Sequence, residues 1–154
     1  MEKIVNKLIE KNKTISTMES CTGGGLANEI TSIEGASSIL KYSAVTYSNE
    51  FKIKMGVKKE VIDKYSVYSM QTADEMSSNI SKFTNSDYGV GITGKLNRAD
   101  ENNNYGEDNV VFISIYDKKN NKYYNKELKV TKKTRKENKI LVIEAVKNIL
   151  LEII

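Results

Sequence analysis

The stretch Glu19-Ser20-Cys21-Thr22-Gly23-Gly24-Gly25 gathers the residues of this chain best suited to covalent chemistry. A hydroxyl and a thiol stand side by side, ahead of three glycines that let a backbone turn sharply and approach a ligand closely. If a helix begins at the glycines, its first amides have no intrahelical acceptor. Such amides suit a phosphate, or the oxyanion of an acyl-transfer intermediate. Ser20 with Gly23, Gly24 and Gly25 therefore reads as a nucleophile beside an oxyanion hole. On spacing alone the same residues also read as a glycine-rich turn with Ser20 as a helix cap, because a short glycine cluster is a weak motif.

The group that could activate Ser20 is narrowed by an absence. The chain contains no histidine. That removes Ser-His-Asp and Cys-His catalysis and every histidine metal ligand. With a single cysteine as well, the usual zinc ligand sets are out of reach, and neither metal nor cofactor is expected. A serine then calls for a lysine as base, its pKa brought down from about 10.4 by burial or nearby positive charge. Lys52 and Lys54 are candidates, since they follow a second strand whose end should lie beside the first. Each also reads as an exposed helix lysine. Tyr47 and Ser48, at the same strand end, are candidates for relaying a proton. Cys21 is the rival nucleophile, but with no histidine beside it little thiolate forms at neutral pH, and it reads as a small packing residue.

These residues need elements to position them. Apolar spacing predicts an amphipathic helix over 2–11, with Ile4, Val5, Leu8 and Ile9 in step. A short strand is predicted over 14–18, then a helix carrying Leu26, Ile30 and Ile33 and ending at Gly35. A strand over 42–47 leads to a helix that Asn49 caps through its side chain and Gly56 closes. A short helix follows over 59–64. Ser69 is the expected N-cap of a longer helix through Phe83, with Ala73, Met76, Ile80 and Phe83 on its inner face. A strand over 88–93 is followed by an Asn-rich polar loop over 94–108. Strands over 110–116 and 122–130 form a hairpin. The last helix, over 135–154, turns Ile140, Ile143, Val146, Ile149 and Leu150 inward. Alternation in the first half argues for parallel strands with helical crossovers, and the hairpin makes the sheet mixed.

Composition sets the outer limits. At 154 residues the chain has the size of one domain, and 39% hydrophobic with 29% charged residues is globular composition, not that of a disordered chain. No run approaches the ~18 to 20 apolar residues that span a bilayer, and the amphipathic start is unlike a signal peptide. One cysteine makes no internal disulfide, so the expected location is the cytoplasm, with no membrane partner. The net charge is +4, but lysines are interleaved with glutamates. The densest basic run, Lys132 to Lys136, reads as a solvated helix start, and no nucleic-acid partner is expected.

At ESCTGG (Glu19 to Gly24) and VTYSNEFK (Val45 to Lys52) the chain resembles the CinA C-terminal domain family, the nicotinamide-mononucleotide amidohydrolases. The family's blocks stand in order: ESCTGG, EGASS at Glu34 to Ser38, VTYSNE, a serine-started helix at Ser69, and GITG at Gly91 to Gly94. The resemblance covers nearly the whole chain. It implies one amidohydrolase domain over 1–154, a three-layer α/β/α sandwich with a mixed, mostly parallel sheet. It also implies hydrolysis of the carboxamide of nicotinamide mononucleotide to nicotinic acid mononucleotide and ammonia, without a metal. Ser20 would attack, Lys52 would be the general base, and Tyr47 would orient or relay. Glu19, Cys21, Thr22, Gly23, Gly24, Ser48, Asn49, Ser69, Thr93 and Gly94 would face the substrate. A homo-oligomer is implied as well.

Three departures from the family pattern stand out. After GITG the family's Gly-Pro loop is replaced by KLNRADENNNYGED (Lys95 to Asp108). Thr134 and Asn138 fall where arginines precede the family's last helix, with Arg135 one position off. Met70 replaces an acidic residue after the middle serine. These leave an alternative open: a catalytically weak relative that binds a nucleotide or a protein in competence or DNA-damage responses.

Overall fold

The structure, a computed structural model, describes residues 1–154. Helix α1 (Glu2–Glu10) precedes β1 (Ile15–Glu19), α2 (Gly25–Thr31), a 3-10 turn (Ala36–Ser38) and β2 (Leu40–Val45). Three helices follow, α3 (Asn49–Lys54), α4 (Lys59–Tyr65) and α5 (Met70–Thr84), then β3 (Tyr88–Gly94), β4 (Val110–Asp117), β5 (Lys122–Lys129) and α6 (Arg135–Ile153). The sheet order is β2-β1-β3-β4-β5. The first three strands run parallel, because helices carry the chain back between them, and β4 pairs antiparallel with both its neighbours. The sheet is mixed, with four strands pointing one way, as the alternation predicted.

Side chains alternate across the sheet and so divide the core in two. On one face Ile15, Val90, Ile92, Val111, Ile113 and Ile115 pack against Ile4, Val5 and Leu8 of α1, Leu26 and Ile30 of α2, and Val142, Val146 and Leu150 of α6. On the other, Met18 and Ala44 meet Met76 and Ile80 of α5. The result is the three-layer α/β/α arrangement. No helix is long and apolar enough to cross a membrane.

On β3 the residues that face α5 are glycines, and the reason is distance. A Cβ on Gly91 would lie 2.3 Å from the Ala73 carbonyl oxygen and 2.7 Å from the Ser77 nitrogen. Gly91→Ala would restrict the unfolded chain, which favours folding by about 0.4–1 kcal/mol. The backbone clash outweighs that, since overpacking costs about 1–3 kcal/mol or more. The variant is expected to be destabilised by a net 1 kcal/mol or more, roughly, read as a lower denaturant midpoint.

Several boundaries differ from those predicted. β2 covers Leu40–Val45 rather than 42–47, because its pairing with β1 ends at Glu19↔Val45 and the chain then turns out of the sheet. α2 ends at Thr31 rather than at Gly35, and Gly35, with φ +83°, instead starts the 3-10 turn. Ser48, not Asn49, caps α3, its hydroxyl accepting from the Phe51 amide, and Asn49 is the first helical residue. Phe83 is 70% exposed. It meets Tyr42 of the edge strand β2 at 6.0 Å between ring centroids, and no further strand lies outside β2. Ile140 is 52% exposed, since the stripe of α6 that faces the sheet is Asn138, Val142, Ile143, Ala145, Val146 and Leu150.

Candidate active site

Three parallel strand ends meet at one edge of the sheet, with β1 in the middle, and Ser20 is the first residue past it. Crevices outside such carboxyl ends are where open α/β sheets take ligands. Period-two alternation sends Met18 toward α5 and Glu19 to the opposite face, beneath α2. There the fully buried Glu19 accepts hydrogen bonds from the Ala27 amide at 2.9 Å and the Leu26 amide at 3.1 Å. Glu19 is thus the carboxylate that caps α2, and it does not line the cavity described below.

That cap revises the expected oxyanion hole. Two first-turn amides of α2 are taken by Glu19, and the Gly25 amide donates to the Thr22 carbonyl at 3.2 Å. The Gly23 amide donates to the Ser20 carbonyl at 3.0 Å. Within the turn, the amides of Cys21, Thr22 and Gly24 are the ones that donate to no backbone acceptor. Gly23 and Gly24 hold φ values of +62° and +86°. Two successive left-handed residues form the turn, a conformation glycine adopts without a Cβ penalty. The glycines shape the turn that carries Ser20 rather than line the cavity.

Lys52 reaches Ser20 from α3. Its ammonium donates to Ser20 Oγ at 3.0 Å and to the Thr46 carbonyl oxygen at 2.7 Å, and the residue is 1% exposed. Ser48 caps the short helix and sets its direction, and Thr46 is anchored by its amide on the Glu19 carbonyl at 2.8 Å. The pair is therefore held by β1, the end of β2 and the first turns of α3. Burial is the main influence on Lys52. It lowers the pKa from 10.5 to about 8, with Cys21 and Asp100 opposing it weakly. Lys54, the other candidate, is exposed and paired with Glu50 at 2.5 Å, so it takes no part. Burial pushes the Cys21 thiol up to about 12, which leaves it a protonated neighbour of Ser20.

Above the pair opens a cavity of about 660 Å³, lined in part by Ser20, Cys21, Tyr47, Ser48, Asn49, Lys52 and Gly94. Tyr47, 65% exposed, accepts a hydrogen bond from the Arg135 guanidinium at 3.4 Å, and its hydroxyl is not bonded to Ser20 or Lys52. Asn49 donates to Asn103 at 3.0 Å. The remaining expected contacts lie elsewhere. Ser69 caps α5 by accepting from the Thr72 amide at 3.2 Å, and the Thr93 hydroxyl donates to the Val67 carbonyl at 2.9 Å. Thr22 is buried, and its hydroxyl has no hydrogen-bond partner.

The cavity also uses residues that motif reasoning passes over. The segment from Lys95 to Asn103 forms one wall. Lys95 is buried, paired with Asp108 at 3.1 Å, and stands 5.2 Å from the Tyr68 ring centroid. The Tyr68 hydroxyl donates to Asp100. That hydrogen bond is the chief influence holding the Asp100 carboxyl below the usual carboxylate range, while burial and the adjacent carboxylate push the Tyr68 phenol up. Arg135, one position from where the family arginine aligns, reaches the cavity from the start of α6, while Thr134 caps that helix and Asn138 binds both backbone groups of Lys132. A usable signal was present: Lys95 directly follows the third parallel strand, so its loop had to emerge at the same sheet edge.

Comparison with known proteins gives a consistent picture. The chain is 46% identical over 96 residues to a protein of Thermoanaerobacter sp. strain X514 described as competence-damage inducible, a stretch that is 61% of this chain and 23% of that protein. It is 41% identical over 119 residues to a CinA-like protein of Flavobacterium psychrophilum, covering 75% of this chain and 28% of that one. The chain thus spans about a quarter of the length of these relatives. Among solved structures, a CinA superfamily protein of Klebsiella pneumoniae superposes with a TM-score of 0.90 at 21% identity, covering 98% of this chain and 92% of that one. A competence/damage inducible protein of Agrobacterium tumefaciens gives 0.84 at 25% identity, covering 98% and 93%. The family description "CinA C-terminal domain" matches residues 1–154 from end to end, and the chain belongs to that family.

Proposed function

We propose that this chain is a serine amidohydrolase acting on the carboxamide of nicotinamide mononucleotide. The observation that carries this reading is the buried Lys52 ammonium 3.0 Å from Ser20 Oγ. A lysine with a pKa of about 8 is neutral in about a tenth of molecules at pH 7. Its lone pair then faces the serine hydroxyl, while an N–H remains on the Thr46 carbonyl.

The chemistry follows from this arrangement. Lys52 takes the Oγ proton as Ser20 attacks the carboxamide carbon. The oxyanion that forms needs donors, and the amides of Cys21 and Thr22, directly after the nucleophile and with no backbone acceptor, are the candidates. Protonated Lys52 gives its proton to the leaving nitrogen, so ammonia departs and an acyl-serine remains. Water then attacks the acyl-serine carbonyl, with Lys52 again taking the proton, and the carboxylate is released as Ser20 regains its hydrogen. The sequence consumes one water and yields one carboxylic acid and one ammonia.

The cavity suits a nucleotide. Arg98 and Arg135 both line it, and neither guanidinium is paired with a carboxylate. Unpaired guanidiniums are the usual partners of phosphate oxygens. The test is ammonia release from nicotinamide mononucleotide by the purified chain. Release is the expected result, with an acid limb that rises through about pH 8 as Lys52 loses its proton. No release at any pH between 7 and 9 would remove this substrate.

A further inference from the structure

The segment 95–108, whose first part forms one wall of the cavity, is long and without regular structure, and ordering it has an entropic cost that specific contacts must offset. Its ends are pinched together by Lys95 on Asp108 and by the Arg98 amide on the Asp108 carbonyl at 3.0 Å. Its middle is fastened to the rest of the molecule at two places. The Tyr68 hydroxyl, just before α5, donates to Asp100 Oδ2, and Asn49, in the first turn of α3, donates to Asn103 Oδ1 at 3.0 Å.

Both fastenings depend on one carboxylate. Asp100 Oδ1 accepts the Asn102 amide at 3.0 Å, and Oδ2 accepts the Asn103 side-chain amide at 3.0 Å as well as the Tyr68 hydroxyl. Asp100 therefore orients the Asn103 amide group whose oxygen meets Asn49. Arg98 lies two residues upstream and brings an unpaired guanidinium to the same cavity as Ser20 and Lys52.

We propose that Asp100 is a positioning residue for substrate: by gripping Tyr68 and aligning Asn103 on Asn49, it holds the Arg98 guanidinium in the wall of the cavity that Ser20 and Lys52 also line, to receive the phosphate of a substrate whose carboxamide lies at Ser20. The inference rests on the amidohydrolase reading for the identity of the substrate, but not for the fastening itself. Asp100→Ala releases both attachments, whereas Tyr68→Phe releases one and keeps the ring under Lys95. The effect on binding is confined to ligands that carry a phosphate, because Asp100 acts through Arg98.

The test uses the full chain and two readouts that need no turnover. Hydrogen exchange over 96–107 is expected to quicken by about an order of magnitude in Asp100→Ala, less in Tyr68→Phe, with the sheet unaffected. In a Ser20→Ala background, Asp100→Ala is expected to weaken nicotinamide mononucleotide binding roughly tenfold while leaving nicotinamide riboside, which lacks the phosphate, within about twofold. In the active chain the same change is expected to raise KM for the mononucleotide by a larger factor than it changes kcat. Unchanged exchange overturns the fastening. Quickened exchange with equal losses for both ligands, no binding of the mononucleotide, or a fall in kcat alone overturns the positioning role. If the wild-type chain binds the mononucleotide as expected but releases no ammonia, the amidohydrolase reading fails and this inference stands.

Discussion

Ser20→Ala is expected to abolish ammonia release, lowering kcat by a factor on the order of 10⁴ to 10⁶, while the chain remains folded. The loss is large because the hydroxyl is the atom that forms the covalent bond, and the water left in its place has no comparable position between Lys52 and the carbonyl. The structural cost is small by comparison. Ser20 Oγ accepts one hydrogen bond from Lys52, which keeps its second acceptor at Thr46. Losing one bond of this charged kind costs about 1.5–3 kcal/mol. The β1–α2 turn keeps its two left-handed glycines and the Glu19 cap. A steady-state assay beside a denaturation curve separates the two effects. Turnover at the wild-type rate would exclude the acyl-serine route, and unfolding would assign Ser20 a structural role instead.

Lys52→Met should be nearly as damaging to turnover, by a factor of roughly 10² to 10⁴, the range a positioned general base supplies. Its effect on stability should have the opposite sign. The folded-state pKa of Lys52 is lowered from 10.5 to about 8 by burial. Between those values the unfolded chain binds more protons than the folded one, so stability rises with pH across that window. Below about pH 8 the folded state carries the full penalty of a buried ammonium, on the scale of about 1.4 kcal/mol for every tenfold loss of proton affinity. Methionine fills a similar volume without a charge. The variant is therefore expected to match or exceed wild-type stability at pH 7, with the difference shrinking toward pH 10, as thermal midpoints at the two pH values would read. A protein that loses activity and gains stability at one residue has strain stored there for function. A variant less stable than wild type at pH 7 would instead mark Lys52 as a structural residue.

Much of this was legible in the chain. The absence of histidine left lysine as the natural base for a serine before any geometry was known, and the ESCTGGG block, which on spacing alone also reads as a capped turn, pointed to Ser20 through its family resemblance. Strand and helix identity followed from period-two and helical spacing, since burial of one face leaves that imprint wherever an element packs on a core. Misplacements came where an element ran beyond its neighbours. Phe83 fits the apolar stripe of α5, yet it stands beside the outermost strand with no further strand to cover it. Asn49, the expected cap of α3, is its first helical residue instead, because the point where β2 leaves the sheet puts Ser48 at the cap.

What the linear sequence determined by itself was the cast of chemical groups and the elements that carry them, because both depend on local residue type and spacing. What only the tertiary structure decided was which groups meet. It buried Lys52 against Ser20 and left Lys54 on Glu50 in solvent. It turned Glu19 away from the cavity into the cap of α2, where it takes two of the amides the sequence offered as oxyanion donors. It also brought Tyr68 and Asp100, 32 positions apart, into a hydrogen bond beside Ser20. Those outcomes depend on strand order and on the burial each site receives, and neither is a property of any short stretch of chain.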